Sequence, residues 1–251
     1  MSGSSKKLLH AAAGTLAASG DPIYVDDVFS TFLFNGTGAS NAIDNGIDLS
    51  GEGGLVWGKR RNLGNSHWLI DTVNGIDSRL ECDGTGAATD KSSSFTAFND
   101  NGFTVATTDN EFNNANGTYT SWTFRKAEKF FDIVTYTGNA TARTIAHNLG
   151  STPGMIIVKR LNGAKNWAVY HTSMGANYWD ILNVGQEKQV NTNLWNNTAP
   201  TDSVFSVGTD GHNNGNNDTY VAYLFASDAG GFGDDGDENI IKCGVYTTDG
   251  Q

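Results

Sequence analysis

The sequence predicts an all-β protein built as two tandem β-sandwich repeats behind a short, distinct N-terminal segment. Three observations predict it. Four strings recur in the same order about one hundred residues apart. Short runs alternate apolar and polar residues with the period of a strand. Gly/Asn/Asp turns, rather than helical stretches, separate those runs.

The repeat is read directly from the residues. Leu55-Val56-Trp57-Gly58-Lys59-Arg60 matches Met155-Ile156-Ile157-Val158-Lys159-Arg160, an offset of 155 − 55 = 100. His67-Trp68 aligns with Asn166-Trp167 at offset 99. Phe103-Thr104-Val105 matches Phe205-Ser206-Val207 at offset 102. Asn116 to Phe124 matches Asn217 to Phe225 at offset 101. Superposed repeats should therefore bring Lys59 onto Lys159 and Tyr119 onto Tyr220.

These matches divide the chain into residues 1–25, a first sandwich over 26–127, a second over 128–233, and a tail over 234–251. Phe130 to Thr137 also resembles Ile240 to Thr247. The tail therefore reads as an acidic linker followed by the opening strand of a third repeat, in a natural chain that continues past Gln251. The alternative is a terminal strand that pairs with another chain, because a lone strand exposes an unpaired edge.

Within a repeat the strands follow from alternation. Thr219 to Phe225 places Val221, Tyr223 and Phe225 on one face and Tyr220, Ala222 and Leu224 on the other. Thr118 to Phe124 sets Trp122 and Phe124 side by side. Met155 to Val158 is continuously apolar, as in the centre of a sandwich. Asn35-Gly36, Asp100-Asn101-Gly102, Asp210-Gly211 and Asn213-Asn214-Gly215 supply the turns. Sheet packed on sheet is the architecture such a pattern selects.

Composition agrees and excludes several classes. Glycine is 31 of 251 residues, about 12% against a usual ~7%, with no three-residue period, so collagen is excluded. Aromatic residues are 11% of the chain, too many for a disordered one. Lys+Arg is 16 and Asp+Glu 27, a net charge of −11 with no basic cluster. Binding to nucleic acid is not expected, because phosphate contacts need a basic footprint. No apolar run is long enough for a transmembrane helix. Cys82 and Cys243 are too far apart for a zinc or redox motif. They read as two free thiols, with one long-range disulfide as the alternative.

The N-terminal segment differs from the rest. Lys6 and Lys7 precede Leu8, Leu9, Ala12, Ala13 and Leu16, which share one helical face. Ser5 is placed to cap this helix and Asp21-Pro22 to end it. The segment reads as a docking element that uses Leu8, Leu9, Ala12 and Leu16. A secretion signal is the competing reading, weakened by His10 and Gly14 in a run made mostly of alanine.

No catalytic constellation emerges. His10, His67, His147, His171 and His212 fall in no GxSxG, HExxH or paired-His motif. Asp234, Asp235, Asp237 and Glu238 lack calcium-loop spacing and read as a solvated linker. Asp210 to Asp218 departs from the EF-hand pattern at its third position. The sequences Asn35-Gly-Thr37, Asn116-Gly-Thr118, Asn139-Ala-Thr141, Asn196-Asn-Thr198 and Asn217-Asp-Thr219 match the glycosylation pattern but read as turns. No metal and no cofactor are expected. Tyr178, Trp179 and Trp195 lie in the less regular part of the second repeat and are the candidate glycan-binding residues. Aromatic rings with a polar tip stack on sugar faces when exposed.

Several strings together resemble a known group. They include Asn116 to Arg125, Phe130 to Asn139, Ile156 to Arg160, Asn166 to His171, Trp195 to Thr201, Thr219 to Ala226 and Gly230 to Asp234. As a set they resemble the tandem-repeat virion proteins of marine tailed phages infecting cyanobacteria and other ocean bacteria. The likeness covers the chain from about Asp26 onward. It implies lectin-like (jelly-roll) β-sandwich repeats carried in tail fibres or other virion surface proteins, with no catalytic residues to transfer. It also implies that residues 1–25 dock on the particle. The expected partners are tail components, further copies of the chain in a homotrimer, and a host-surface glycan. Competing readings are a carbohydrate-binding module, a capsid decoration protein and a glycan-degrading enzyme. The last would need two carboxylates roughly 5–10 Å apart in a cleft.

Overall fold

The computed structural model describes residues 21–106 and 109–246. The stripe Leu8, Leu9, Ala12 and Leu16 lies outside them. Among the described residues helix is confined to α1 (Val25–Val28), and everything else regular is antiparallel strand. The first repeat contributes β1 (Phe29–Asn35), β2 (Asn41–Asp44), β3 (Gly54–Arg60), β4 (Trp68–Asp71), β5 (Leu80–Glu81), β6 (Phe95–Asn99), β7 (Gly102–Val105) and β8 (Thr118–Arg125). The second contributes β9 (Phe131–Thr137), β10 (Arg143–Ala146), β11 (Pro153–Arg160), β12 (Ala168–His171), β13 (Tyr178–Ile181), β14 (Gln189–Val190), β15 (Val204–Val207) and β16 (Thr219–Ala226).

Each repeat is a large sheet over a small one. The first pairs β1-β8-β3-β4-β5 with β2-β7-β6, and the second pairs β14-β13-β12-β11-β16-β9 with β10-β15. The protein is therefore an all-β sandwich structure. Lys59 sits opposite Thr120, and Arg60 opposite Tyr119. Lys159 sits opposite Val221, and Arg160 opposite Tyr220. The lysines and tyrosines thus occupy matching ladder positions. Both tyrosines brace a turn in the same way. Tyr119 accepts from the Asn114 N–H (2.9 Å) and donates to Asn110 O (3.0 Å). Tyr220 accepts from the Gly215 N–H (2.8 Å) and donates to Gly211 O (2.9 Å).

One sequence alignment shifts by a residue. Gly58 faces Trp68 across β3–β4, and Val158 faces Ala168 across β11–β12. The structural mate of Trp68 is therefore Ala168, and Trp167 is the mate of His67. The tryptophans point to opposite faces of their sheets because adjacent strand residues do. The two pairings put their larger residue on opposite strands. A Cβ on Gly58 would lie 2.0 Å from the Trp68 ring, whereas Val158 meets only an alanine.

Residues apolar on both faces of a strand require cover on both faces. Two clusters fill the sandwich interiors, around Trp68, Phe95 and Phe103 in one and Trp195, Phe205 and Leu224 in the other. A third joins the repeats. Leu55, Leu69, Leu80 and Cys82 pack against Phe131, Ile157, Trp167, Tyr223 and Phe225. The outer faces of the two large sheets thus meet, giving four layers rather than separate beads. Polar groups trapped there are paired, as buried polar groups must be. Asp71 accepts from Tyr223 Oη (2.8 Å), Asn74 Nδ2 (2.8 Å) and the N–H groups of Val73 and Asn74. Trp167 Nε1 donates to Glu81 O (2.9 Å) and Gly84 O (3.2 Å).

The tail over 234–246 is tied down. The Gly233 N–H donates to Ile23 O (2.9 Å), and Tyr24 Oη donates to Asp234. Ile240 and Ile241 form no ladder and pack on the core clusters, while the Cys243 N–H reaches Ser227 Oγ (3.0 Å). Among the described residues, the segment expected to open a third repeat pairs with no strand. Cys82 and Cys243 are both free thiols.

Candidate functional site

The expected glycan-binding residues are not gathered on a surface. Trp195 is the positional mate of Phe95 and is 2% exposed, packed beside Tyr170 at 5.8 Å between ring centroids. Trp179 points into the second sandwich, 8% exposed, with His212 at 4.7 Å. It takes the place that Arg79 holds in the first repeat, where Arg79 pairs with Glu111 (2.6 Å) and Lys91 with Asp109 (3.0 Å). Around Trp179, Asn191 and Asp210 replace that lysine and aspartate, bonded at 2.8 Å. Its carboxyl lies below the usual range, first through the hydrogen bond to His212. Tyr178 alone of the three is half-buried on the outer side, with Lys188 Nζ 4.6 Å from its ring centroid. Strand alternation separates Tyr178 from Trp179, and core packing removes Trp195.

An aromatic surface does exist, on the first repeat. The outer face of its large sheet carries two rows across β1, β8 and β3. One runs Thr31, Trp122, Trp57, and the next Leu33, Thr120, Lys59. His67, just before β4, closes the second row beside Lys59. Trp57 Nε1 donates to His67 Nδ1 (3.0 Å), and His67 stacks on Trp122 at 6.3 Å and 14°. The indoles meet edge-on at 6.4 Å. Accepting at Nδ1 fixes the neutral imidazole with its proton on Nε2. Trp57, His67 and Trp122 are half-buried, and Leu33 is 59% exposed.

Burial, and after it the Lys59 ammonium, hold the His67 imidazole below its ordinary value. Removing that charge should raise it. Lys59→Ala is expected to shift the His67 NMR titration to higher pH, and an unmoved midpoint would contradict the electrostatic account.

The same rows in the second repeat are closed. Lys159, Trp167 and Val221 are fully buried. Lys159 Nζ donates to Thr85 O (3.1 Å) and Arg160 O (3.0 Å) beneath the first repeat. Burial, with Arg160 second, pulls its pKa from 10.5 down to about 8. A base depressed in the folded state is deprotonated first there, so stability rises with pH between those two values. The wild type should gain this increment between pH 8 and 10, and Lys159→Met should lack it in parallel denaturant titrations. Identical pH slopes would refute the assignment.

Chemically the open face offers two indoles, an imidazole N–H and an ammonium, a set suited to binding. Among the described residues no group of three or more His, Cys, Asp or Glu side chains is placed to hold a metal, and no helix is long and apolar enough to cross a membrane. The sequence marked Trp57 and Trp122 as aromatic strand residues. From their repeat-equivalent or strand positions such tryptophans read mostly as core, yet Trp57 and Trp122 are half-buried where Ile157 and Tyr223 at the same positions are buried.

The fold and this face define a protein of two stacked β-sandwiches with one partly open aromatic face. A family model described as a domain of unknown function, DUF7483, matches residues 25–237, and the chain belongs to that family. The match takes in both sandwiches together. No curated protein and no solved structure matches the chain.

Proposed function

We propose that the chain is a non-enzymatic structural protein of a tailed-phage virion, a tail fibre or tail-associated appendage used in host attachment. The observation that carries this reading is the apolar, hydrogen-bonded seam between the two large sheets. It makes one stiff four-layer body from two repeats, which is what an appendage subunit requires. The resemblance of the repeated strings to virion proteins of marine phages supplies the setting. On this reading residues 1–25 dock the body on a tail component, copies associate as a homotrimer, and the exposed body contacts a host-surface glycan. Nucleic acid is not a partner, since the net charge is −11. Capsid decoration is the neighbouring role.

Gradient-purified particles analysed by mass spectrometry and immunogold labelling test the reading. The chain should copurify with particles and label the tail. Label confined to the head would assign decoration, and absence from particles would overturn the proposal. A chain lacking residues 1–20 should keep its melting temperature within about 2 °C, as expected when no described packing is lost, yet fail to enter particles. Incorporation at normal copy number would refute the docking role.

A further inference from the structure

We infer that the chain associates with copies of itself head to tail, the free edge of the second repeat in one copy covering the Trp57–His67–Trp122 face of the next. The inference stands independently of the virion reading. It rests on the seam inside the chain, which is not symmetric.

In that seam the first repeat presents Leu55 and Leu69 of its sheet face together with the end of β5 and the segment after it. Cys82 is buried in the seam, Glu81 O and Gly84 O accept from Trp167, and Thr85 O accepts from Lys159. The Ala88 N–H donates to Leu161 O (2.8 Å). The second repeat presents the rows holding Trp167, Lys159, Val221, Ile157 and Tyr223. The donors from the second repeat are therefore one ring N–H, one ammonium and the Lys165 N–H, which reaches Thr85 O at 3.0 Å. The covering segment supplies carbonyls, the Ala88 N–H and an apolar side chain.

A two-fold seam would repeat this arrangement in reverse, with the end of β13 lying on Lys59 and His67. It does not. Leu182 and Val184, the mates of Cys82 and Gly84, are 38% and 43% exposed, and Val190 is 69% exposed. The edge at Leu182 and Val184 and the part of the first repeat's face formed by Leu33, Lys59, His67 and Trp122 thus lack such a cover, while Trp57 borders the seam cluster.

Both carry the chemistry of their buried counterparts. His67 stands where Trp167 stands and, as the neutral Nε2–H form, keeps one ring N–H. Lys59 matches Lys159, and its Nζ now reaches Arg60 O (2.7 Å) and Leu63 O (3.2 Å) instead of a covering loop. Trp57, Trp122 and Leu33 keep the face apolar where Ile157, Tyr223 and Thr135 line the other. Leu182 supplies the edge with a larger apolar group than Cys82. An interface of this heterologous kind generates closed rings or open filaments. The second copy is the occupant this surface fits, because the seam already shows the complementary partner.

Complementation tests the proposal on the full chain. Leu33→Asp alters the face and Leu182→Asp/Val184→Asp alters the edge. All three side chains are exposed, so unchanged melting temperatures should show that the variants fold. Wild type should self-associate in sedimentation velocity, and each variant alone should associate at least about tenfold more weakly, as burying a charge in an apolar contact implies. An equimolar mixture should form a one-to-one dimer, because each variant keeps the half the other lacks. A strictly monomeric wild type overturns the proposal, as does a mixture that fails to pair. So does association that survives both variants but is lost on removing residues 1–20. A monomer whose face binds a sugar on a glycan array, with binding lost in Leu33→Asp, would assign the face to carbohydrate instead.

Discussion

Trp167→Ala should destabilise the whole chain by about 3–5 kcal/mol, the usual cost of deleting a buried tryptophan. Heat should melt both repeats in one transition, before and after the substitution. The ring is fully buried between the large sheets, and its N–H satisfies two carbonyls of the other repeat. Removing it opens a cavity in the seam and leaves Glu81 O and Gly84 O without that donor. Trp167→Phe keeps most of the volume and loses only the donor, so a smaller cost of about 1–2 kcal/mol is expected. Scanning calorimetry decides the matter. Two separate transitions, with only the second repeat shifted, would show that the seam does not couple the sandwiches.

Gly58→Val should cost about 3 kcal/mol or more, at the upper end for overpacking, because the new Cβ would intrude on the Trp68 ring itself. Trp68→Ala alone should cost about 3–5 kcal/mol through the cavity it leaves. Together the two substitutions rebuild the pair that Val158 and Ala168 form in the second repeat. The double variant should therefore be more stable than the sum of the single losses predicts, by about 1–3 kcal/mol. Denaturant unfolding of the four proteins gives the coupling directly. Simple additivity would mean that the two repeats do not exchange volume across this pair.

Much of the sandwich was legible in the residues. Alternation set the strands, and Gly/Asn/Asp clusters marked the turns. The offsets near 100 placed Lys59 against Lys159 and Tyr119 against Tyr220. The one-residue slip at Trp68 arose because a Trp–Trp match outweighs ladder register in a string comparison. The seam was half legible. Thr219 to Phe225 is apolar on both faces, which says that both are covered, but no single strand says by what. The candidate face was not legible. Trp57 and Trp122 differ from buried tryptophans only in what lies over them, and that depends on which repeat covers which. Tyr178, Trp179 and Trp195 drew attention through an irregular stretch of sequence. Trp195 replaces Phe95 and Trp179 replaces Arg79 inside a sandwich, substitutions visible only once the ladders are in register.

Val25 and Phe29 line the same recess of about 150 Å³ as Ile240 and Ile241, and Ile23 is hydrogen-bonded to Gly233. The chain therefore enters and leaves the four-layer body at one corner. Tension drawn between residue 21 and residue 246 passes through this clasp and not along the sandwiches. While the clasp holds, the load bypasses the two cores; only after it opens does the pull reach the sheets between.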